Sequence, residues 1–478
     1  MHKTLLNYSF MMRSWIGLLG FVLIIFSCSQ SDGNAIVDTN PPELVSCSFQ
    51  NATDVDKGDV SIEIIYNQNL ILLKPHGITL NDLPVSDASA AFKKLTVKVT
   101  LEEATEYDLK IPAGVVQGPD ESTAEEIVIS FKTKEPVSVN IDADLVIDNP
   151  SPQAVNVYNF LKDNYGIKTL SSTMSNGAVD INEAEWVKQH TDKYPAIIGI
   201  DYIFLNWSPA NWIDYNSIDV QKNWWANNGL ISASWHWNIP PNETITDHTK
   251  FTFRLENEDG VKVNFQPSNV PIDGTWENEV AKADFDELIA YIKLLQDENI
   301  PLIWRPLHEA AGNIYEYNNG QAWFWWGMEG GDAYVELWRF MFDYFQSKGV
   351  NNLIWVWTTQ TKDDDFYPGD AYVDIIGKDV YNNSNIDELA ELFTSIQQKY
   401  PTKMITLSEC GNVADVSKQW NNGGKWSWFM PWCDHDRTND VNEADFASTE
   451  HEFANATWWI DAFNHDDVIT LDEMPDLK

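Results

Sequence analysis

The sequence predicts an α/β chain: a closed (β/α)8 barrel of the TIM type, preceded by a small all-β sandwich. Three observations carry this. From about Ile141 onward, runs of apolar or β-branched residues alternate with amphipathic stretches whose apolar positions recur at three and four. Eight such runs fall between residues 141 and 478, which is the number a closed parallel barrel requires. Before Ile141, short stretches alternate with period two and break at Pro and Gly at turn spacing, the pattern of an antiparallel sheet pair.

Along the chain, residues 1–27 read as a signal segment. Lys3 and Arg13 supply early positive charge, the run from Ile16 to Phe26 is apolar, and Ser27-Cys28 follows. That run is shorter than the ~20 residues a spanning helix needs. A small residue before a Cys at the end of a short apolar core resembles a bacterial lipoprotein signal, which makes Cys28 the expected lipid attachment point. The expected location is a bacterial membrane held through lipid, the outer membrane in particular, on its cell-surface or periplasmic side. Residues 28–40 are short and polar and read as a flexible tether.

Residues 41–135 contain the runs 60–66, 95–99, 106–111 and 126–131, and the segment resembles the Ig-like domains that precede bacterial surface enzymes. It carries no catalytic constellation and reads as a spacer or binding module. In 141–478 the candidate strands are 168–171, 196–200, 230–235, 301–305, 353–357, 373–377, 404–408 and 426–430, with helices such as 283–298 and 332–347 between them. Continuous apolar strands joined by helices imply a parallel sheet covered on its outer face. An open doubly wound sheet competes with the barrel, but no GxGxxG follows a strand to support a dinucleotide site.

Composition narrows the function. With 72 acidic against 31 basic residues the formal net charge is −41, so the clustered cations that phosphate recognition needs are missing and nucleic acid is excluded as a partner. The chain also holds 22 Trp, 22 Phe and 17 Tyr, enough aromatic surface to stack on flat, partly apolar ligands. Cys47, Cys410 and Cys433 form no disulfide framework or zinc pattern, although Cys410 and Cys433 could pair if their elements lie side by side.

In a parallel barrel the strand C-termini converge on one face, and active sites are built there. The third candidate strand continues into His236, the fourth ends Trp304-Arg305-Pro306-Leu307-His308-Glu309, the sixth continues to Asp379 and Tyr381, and the seventh ends Ser408-Glu409. Three carboxylates, two imidazoles, a guanidinium and a phenol thus share one rim. Any one could merely cap the sheet, but together they fit glycoside hydrolysis, which needs one carboxyl to protonate the leaving oxygen and a second to attack the anomeric carbon or activate water. Glu309 and Glu409 supply that pair, with Arg305 holding the carboxylate partner ionised and His308 contacting the acid or a sugar hydroxyl.

From Trp304 to Glu309 the sequence resembles glycoside hydrolase family 26, whose members are mostly endo-β-1,4-mannanases. The resemblance continues through Trp323-Phe324-Trp325-Trp326-Gly327, Leu353 to Trp357, Asp379-Val380-Tyr381, Ser408-Glu409 and Val468 to Pro475. It implies a retaining mechanism with Glu309 as acid/base and Glu409 as nucleophile, and with His236, Arg305, His308 and Tyr381 around the sugar. It implies β-mannan-type substrates and no cofactor or metal. The same family also includes enzymes of mixed-linkage β-glucan or xylan, and a non-catalytic glycan-binding protein is the reading from outside enzymology. Here residues 310–322 lengthen the loop after the acid, which should reshape the neighbouring subsite. Of the rings near the rim, Trp323 and Trp428 are the expected sugar platforms, chosen over Trp325, Trp326, Trp426 and Trp432. The Asp363–Asp365 and Asp434–Asp436 clusters lack EF-hand spacing and read as solvated loops.

Overall fold

The computed structural model describes residues 40–478 apart from 136–137, 177–178, 361, 436 and 438–440. The expected signal segment, Cys28 and most of the tether lie outside the described residues. Among the described residues no helix is long and apolar enough to cross a membrane. The chain forms two compact units, one ending at Pro136 and the other beginning at Val137.

The first unit consists mainly of two four-stranded sheets. One runs in the spatial order Leu44–Cys47, Gly58–Tyr66, Lys94–Leu101, Asp87–Ala91, and the other in the order Ile127–Lys132, Glu106–Ile111, Thr79–Leu80, Leu83–Pro84, all pairs antiparallel. Period-two alternation turns Ile62, Ile64, Leu95 and Val97 of one sheet, and Leu109, Ile111, Ile129 and Phe131 of the other, into a common core. The four strands anticipated from alternation are present. The short ones, such as Ile71–Leu72 and Val116–Gln117, are too brief for alternation to register.

The second unit is a closed barrel. Its strands are β1 (Thr169–Met174), β2 (Ile197–Asp201), β3 (Leu230–Trp235), β4 (Leu302–Pro306), β5 (Leu353–Thr359), β6 (Ile375–Tyr381), β7 (Met404–Gly411) and β8 (Trp428–Pro431). Each pairs in parallel with the next, and β8 pairs with β1, so the sheet has no free edge in the ring. The competing open sheet is thereby excluded. Helices sit between the strands, among them Trp276–Asp297 and Gly331–Ser347, the first capped by the Thr275 side chain accepting from the Asn278 N–H. Near the C-terminus Val468–Ile469 adds to the start of β1 beside β8.

The strands are buried on both faces, which explains why they read as continuous apolar runs. Most of the aromatic excess is packing. Trp186, Trp235, Trp237, Trp304, Trp325, Trp326, Trp338, Trp355, Trp357 and Trp459 are fully buried, and at ~25 cal/mol per Å² such rings are the largest individual contributors to the core.

All the strands but β3 run past their anticipated ends, β6 the furthest. β6 reaches Tyr381 and β7 reaches Gly411, so Asp379, Tyr381 and Glu409 lie within strands instead of just beyond them. Register shifts between Lys378 and Asp379 on β6, and between Leu407 and Cys410 on β7, accompany this extension. Such bulges re-aim side chains beside functional sites.

One buried acid sets a pH dependence for the barrel. Asp284 lies in the helix Trp276–Asp297, where its Oδ2 accepts from Trp237 Nε1 at 2.6 Å. Burial pushes its carboxyl up to about 7. Because the folded value lies above the ordinary carboxylate value, the fold loses stability as pH rises from about 4 through 7. Asp284→Asn keeps the acceptor and removes the ionisation. Its stability relative to the parent should therefore climb between pH 4 and pH 8, by at most roughly 4 kcal/mol, when thermal unfolding is followed across that range. A difference independent of pH would show that folding does not shift the Asp284 carboxyl.

Candidate active site

The C-terminal ends of β3, β4, β6 and β7 bring the anticipated polar side chains into one connected cluster. Arg305 on β4 is its centre. Its Nη1 donates to Asp379 Oδ2 at 2.9 Å and its Nη2 to Glu409 Oε2 at 2.6 Å, all three groups being buried. Asp379 and Glu409 are register partners on adjacent strands, so a single guanidinium in the barrel interior reaches both. The second oxygen of each is also held. The Ser408 hydroxyl donates to Asp379 Oδ1 at 2.7 Å, and the Tyr381 hydroxyl donates to Glu409 Oε1 at 2.5 Å. Burial, followed by the charge on Glu409, keeps the Tyr381 phenol well above its ordinary value, so it acts as a neutral donor.

Glu309 stands four residues beyond Arg305 on the same strand end. Part of its surface stays open to solvent, but loss of hydration raises its carboxyl well above the usual range. The charges of Asp379 and Glu409 push in the same direction, and Arg305 opposes them. Glu309 and Glu409 are therefore close enough to act on each other electrostatically.

The backbone that carries Glu309 is strained. Leu307 and Glu309 both have positive φ, 47° and 50°, a conformation L side chains seldom adopt. Neighbouring rings hold the turn in place. The Tyr334 hydroxyl donates to the Leu307 carbonyl and Trp326 Nε1 to the His308 carbonyl, each at 2.9 Å. Gly327 completes the clamp, since a Cβ there would stand 1.7 Å from the Ala310 carbonyl oxygen. The aromatic run after the acid thus serves chiefly as scaffold: Trp325 and Trp326 are buried, and Trp323 alone of its tryptophans is exposed, at 42%.

The two imidazoles meet edge to face, with ring centroids 4.5 Å apart. His236 Nδ1 donates to Asp201 Oδ2 at 2.5 Å, and its backbone N–H donates to Asp201 Oδ1 at 3.0 Å. With Nδ1 engaged by Asp201, Nε2 lies on the other side of the ring. His308 is buried, and desolvation, then Arg305 and His236, hold it well below its ordinary value, so it is neutral. Among the described residues its Nδ1 has no hydrogen-bond partner.

Trp428 departs from expectation. It is 2% exposed and begins β8, inside the barrel, where it lines a small cavity with Arg305, Ser408 and Met430. The strand begins two residues later than anticipated and ends one later, at Pro431, and the ring expected at the rim lies below it. The ring that does emerge beyond β8 is Trp432, half-buried, with its centroid 5.9 Å from that of His236. Asp201 and Trp432 are the site residues that pattern reading passed over. Asp201 carried a usable signal, since it is a carboxylate ending an otherwise apolar strand.

The described cysteines Cys47, Cys410 and Cys433 are all free thiols, so Cys410 and Cys433 do not pair. Among the described residues no cluster of three or more His, Cys, Asp or Glu is arranged to hold a metal. The chemistry available is that of two carboxyl groups in unlike environments. One is raised by burial and neighbouring charge, and the other is gripped at both oxygens.

This electrostatic arrangement predicts a titration. Glu409→Gln removes one of the negative charges that raise Glu309, so the Glu309 carboxyl should titrate at lower pH in that variant. Carbon NMR of labelled glutamate resolves the shift; an unchanged Glu309 would mean that the two groups do not interact.

Comparison with known proteins gives the same answer from another direction. The sequence profile described as "Glycosyl hydrolase family 26" matches residues 146–461. The chain is 29% identical over 435 residues to mannan endo-1,4-beta-mannosidase A of Piromyces sp, covering 86% of this chain and 65% of that protein. It is 30% identical over 336 residues to the mannan endo-1,4-beta-mannosidase of Thermothelomyces thermophilus, covering 69% and 63%. It therefore spans about two thirds of the length of these relatives. Among solved structures, the GH26 domain of an endo-beta-mannanase/endo-beta-glucanase from Prevotella bryantii superposes with a TM-score of 0.62 at 37% identity, covering 70% of this chain and 99% of that one. A beta-mannanase from a symbiotic protist of the termite Reticulitermes speratus, complexed with gluco-manno-oligosaccharide, gives 0.59 at 29% identity with the same coverage.

Proposed function

This chain belongs to glycosyl hydrolase family 26, and from that premise we propose that it is a retaining endo-β-1,4-mannanase acting on mannan, glucomannan or galactomannan. The contrast between Glu309 and Glu409 supports the mechanism most directly. Glu309, raised by burial and by its acidic neighbours, keeps a proton near neutrality and delivers it to the leaving oxygen. Glu409, held at both oxygens by Arg305 and Tyr381, is positioned to attack the anomeric carbon and form a glycosyl ester. Esterification removes the charge of Glu409, which lowers Glu309 and favours its loss of a proton. Glu309 then serves as the base that activates water for the second displacement. His236, oriented by Asp201, and His308, with an unpartnered Nδ1, are placed to bind sugar hydroxyls around the cleavage point.

The substrate class rests on the relatives, which are named mannan endo-1,4-beta-mannosidases, and on the gluco-manno-oligosaccharide bound by the protist enzyme. The charge of −41 agrees with a neutral polysaccharide, because an acidic one would be repelled.

Glu409→Ala should lower turnover at least about 10⁴-fold while oligosaccharide binding stays measurable by calorimetry. Full activity in that variant would reject the assignment. Product analysis on mannan, mixed-linkage glucan and xylan side by side checks the substrate, and oligosaccharides released from glucan alone would overturn the mannanase reading.

We read the first unit as a spacer or binding module, and Cys28 as a lipid attachment point that holds the enzyme to a bacterial membrane. Incorporation of labelled fatty acid should be lost in Cys28→Ser; label that persists would refute the anchor.

A further inference from the structure

Trp432 follows the last residue of β8, and its backbone N–H donates to the Cys410 carbonyl at 2.9 Å. That bond sets the backbone, but the rotation of the half-buried indole about its two side-chain torsions depends on what the ring itself meets. Its Nε1 donates to His435 Nε2 at 3.3 Å. An indole nitrogen is a donor only, so His435 presents a lone pair there and carries its proton on the other nitrogen. That nitrogen faces a carboxylate. His435 Nδ1 donates to Glu452 Oε2 at 3.1 Å, and the His435 backbone N–H donates to the same oxygen at 3.3 Å. The Cys433 thiol, kept protonated by burial, stands 3.9 Å from Nε2 as a second donor. Glu452, His435 and Trp432 thus form a directional chain of carboxylate, imidazole and indole with one consistent proton arrangement.

Seventeen residues separate His435 from Glu452, and a buried hub brings them together. Glu183, in the helix Asn182–Thr191, accepts from the Asp434 N–H at 3.3 Å and from the Arg437 guanidinium through one oxygen, and from His451 Nε2 at 3.1 Å through the other. His451 Nδ1 accepts from the N–H groups of Phe453 and Ala454 at 3.0 and 3.1 Å, which sets the backbone on either side of Phe453. Phe453, beside Glu452, packs edge to face against Tyr381 with centroids 5.5 Å apart, so this segment also abuts the phenol that grips Glu409. The pair itself is half open to solvent, with side-chain exposures of 49% and 36%, and such pairs add little to stability. Its effect lies in what it orients.

We propose that His435, oriented by Glu452, is a positioning residue that accepts the Trp432 indole N–H and so fixes that ring beside His236 at the mouth of the site. The proposal rests on the glycan-hydrolase reading above and adds to it two residues that act on the substrate only through Trp432.

The test uses the full chain with His435→Ala, His435→Gln, Trp432→Phe and the double variant His435→Ala/Trp432→Phe, each assayed on a linear β-1,4-manno-oligosaccharide. His435→Ala should raise KM about two- to tenfold, the range for loss of one hydrogen bond, with kcat within about twofold of the parent. His435→Gln, whose amide oxygen can replace the lost acceptor, should recover part of the loss. In the Trp432→Phe background, where no N–H remains to be held, His435→Ala should change KM by less than about twofold. An effect of His435→Ala that persists undiminished in that background would overturn the proposal. NMR of indole-labelled protein reads the bond without turnover. The Nε1–H signal of Trp432, identified by its loss in Trp432→Phe, should shift in His435→Ala and return towards its parent position in His435→Gln. An indole signal unmoved by His435→Ala would likewise overturn the proposal, whereas failure of the parent to cut the oligosaccharide would count against the substrate reading and leave the indole measurement to decide the positioning role.

Discussion

One buried cation organises the catalytic end of this molecule. Arg305 leaves β4 and crosses the barrel interior to meet carboxylates on β6 and β7, two and three strands away around the ring. Desolvation works against a guanidinium in that position, while Asp379 and Glu409 keep it charged. A buried pair of this kind contributes little net stability, yet losing one partner strands the other at a cost of about 3–5 kcal/mol. Its value is geometric. Since Glu309 sits on the same strand end as Arg305, gripping Glu409 through Arg305 sets the spacing between the two glutamates with few intermediates.

The same guanidinium divides the acids into two kinds. Glu409 receives a charged donor and a phenol, whereas Glu309 feels Arg305 only as a charge that opposes stronger influences. Asp379 completes the arrangement as a positioning group, since its oxygens are taken by Arg305 and Ser408. Chemically equivalent side chains thereby acquire different roles through burial and hydrogen bonding.

Much of this was legible along the chain because barrel strands are short apolar runs and their ends are forced onto one face. Arg305, His308 and Glu309 follow one such run directly, so their convergence with Glu409 required only closure of the sheet. What eluded the reading depended on strand ends, which periodicity locates poorly. β8 runs one residue further than anticipated, to Pro431, which leaves Trp428 inside the barrel and Trp432 just beyond the strand. A bulge in β7 accompanies the continuation of β6 and β7 past the points where their apolar runs stop. Asp201 differs: a carboxylate ending an apolar strand marks a rim residue, but its role is defined by a histidine 35 residues away.

The left-handed turn at Leu307 and Glu309 bears on how such a centre arises. Its conformation is imposed from outside by an indole, a phenol and a glycine contributed by later segments. Copying the His-Glu pair onto a different strand of an unrelated barrel would let the peptide relax and swing the carboxyl out of line. Transplantation, in a laboratory or over evolutionary time, has to move the restraining aromatics together with the acid, which is a reason for these distant stretches to be inherited as one unit.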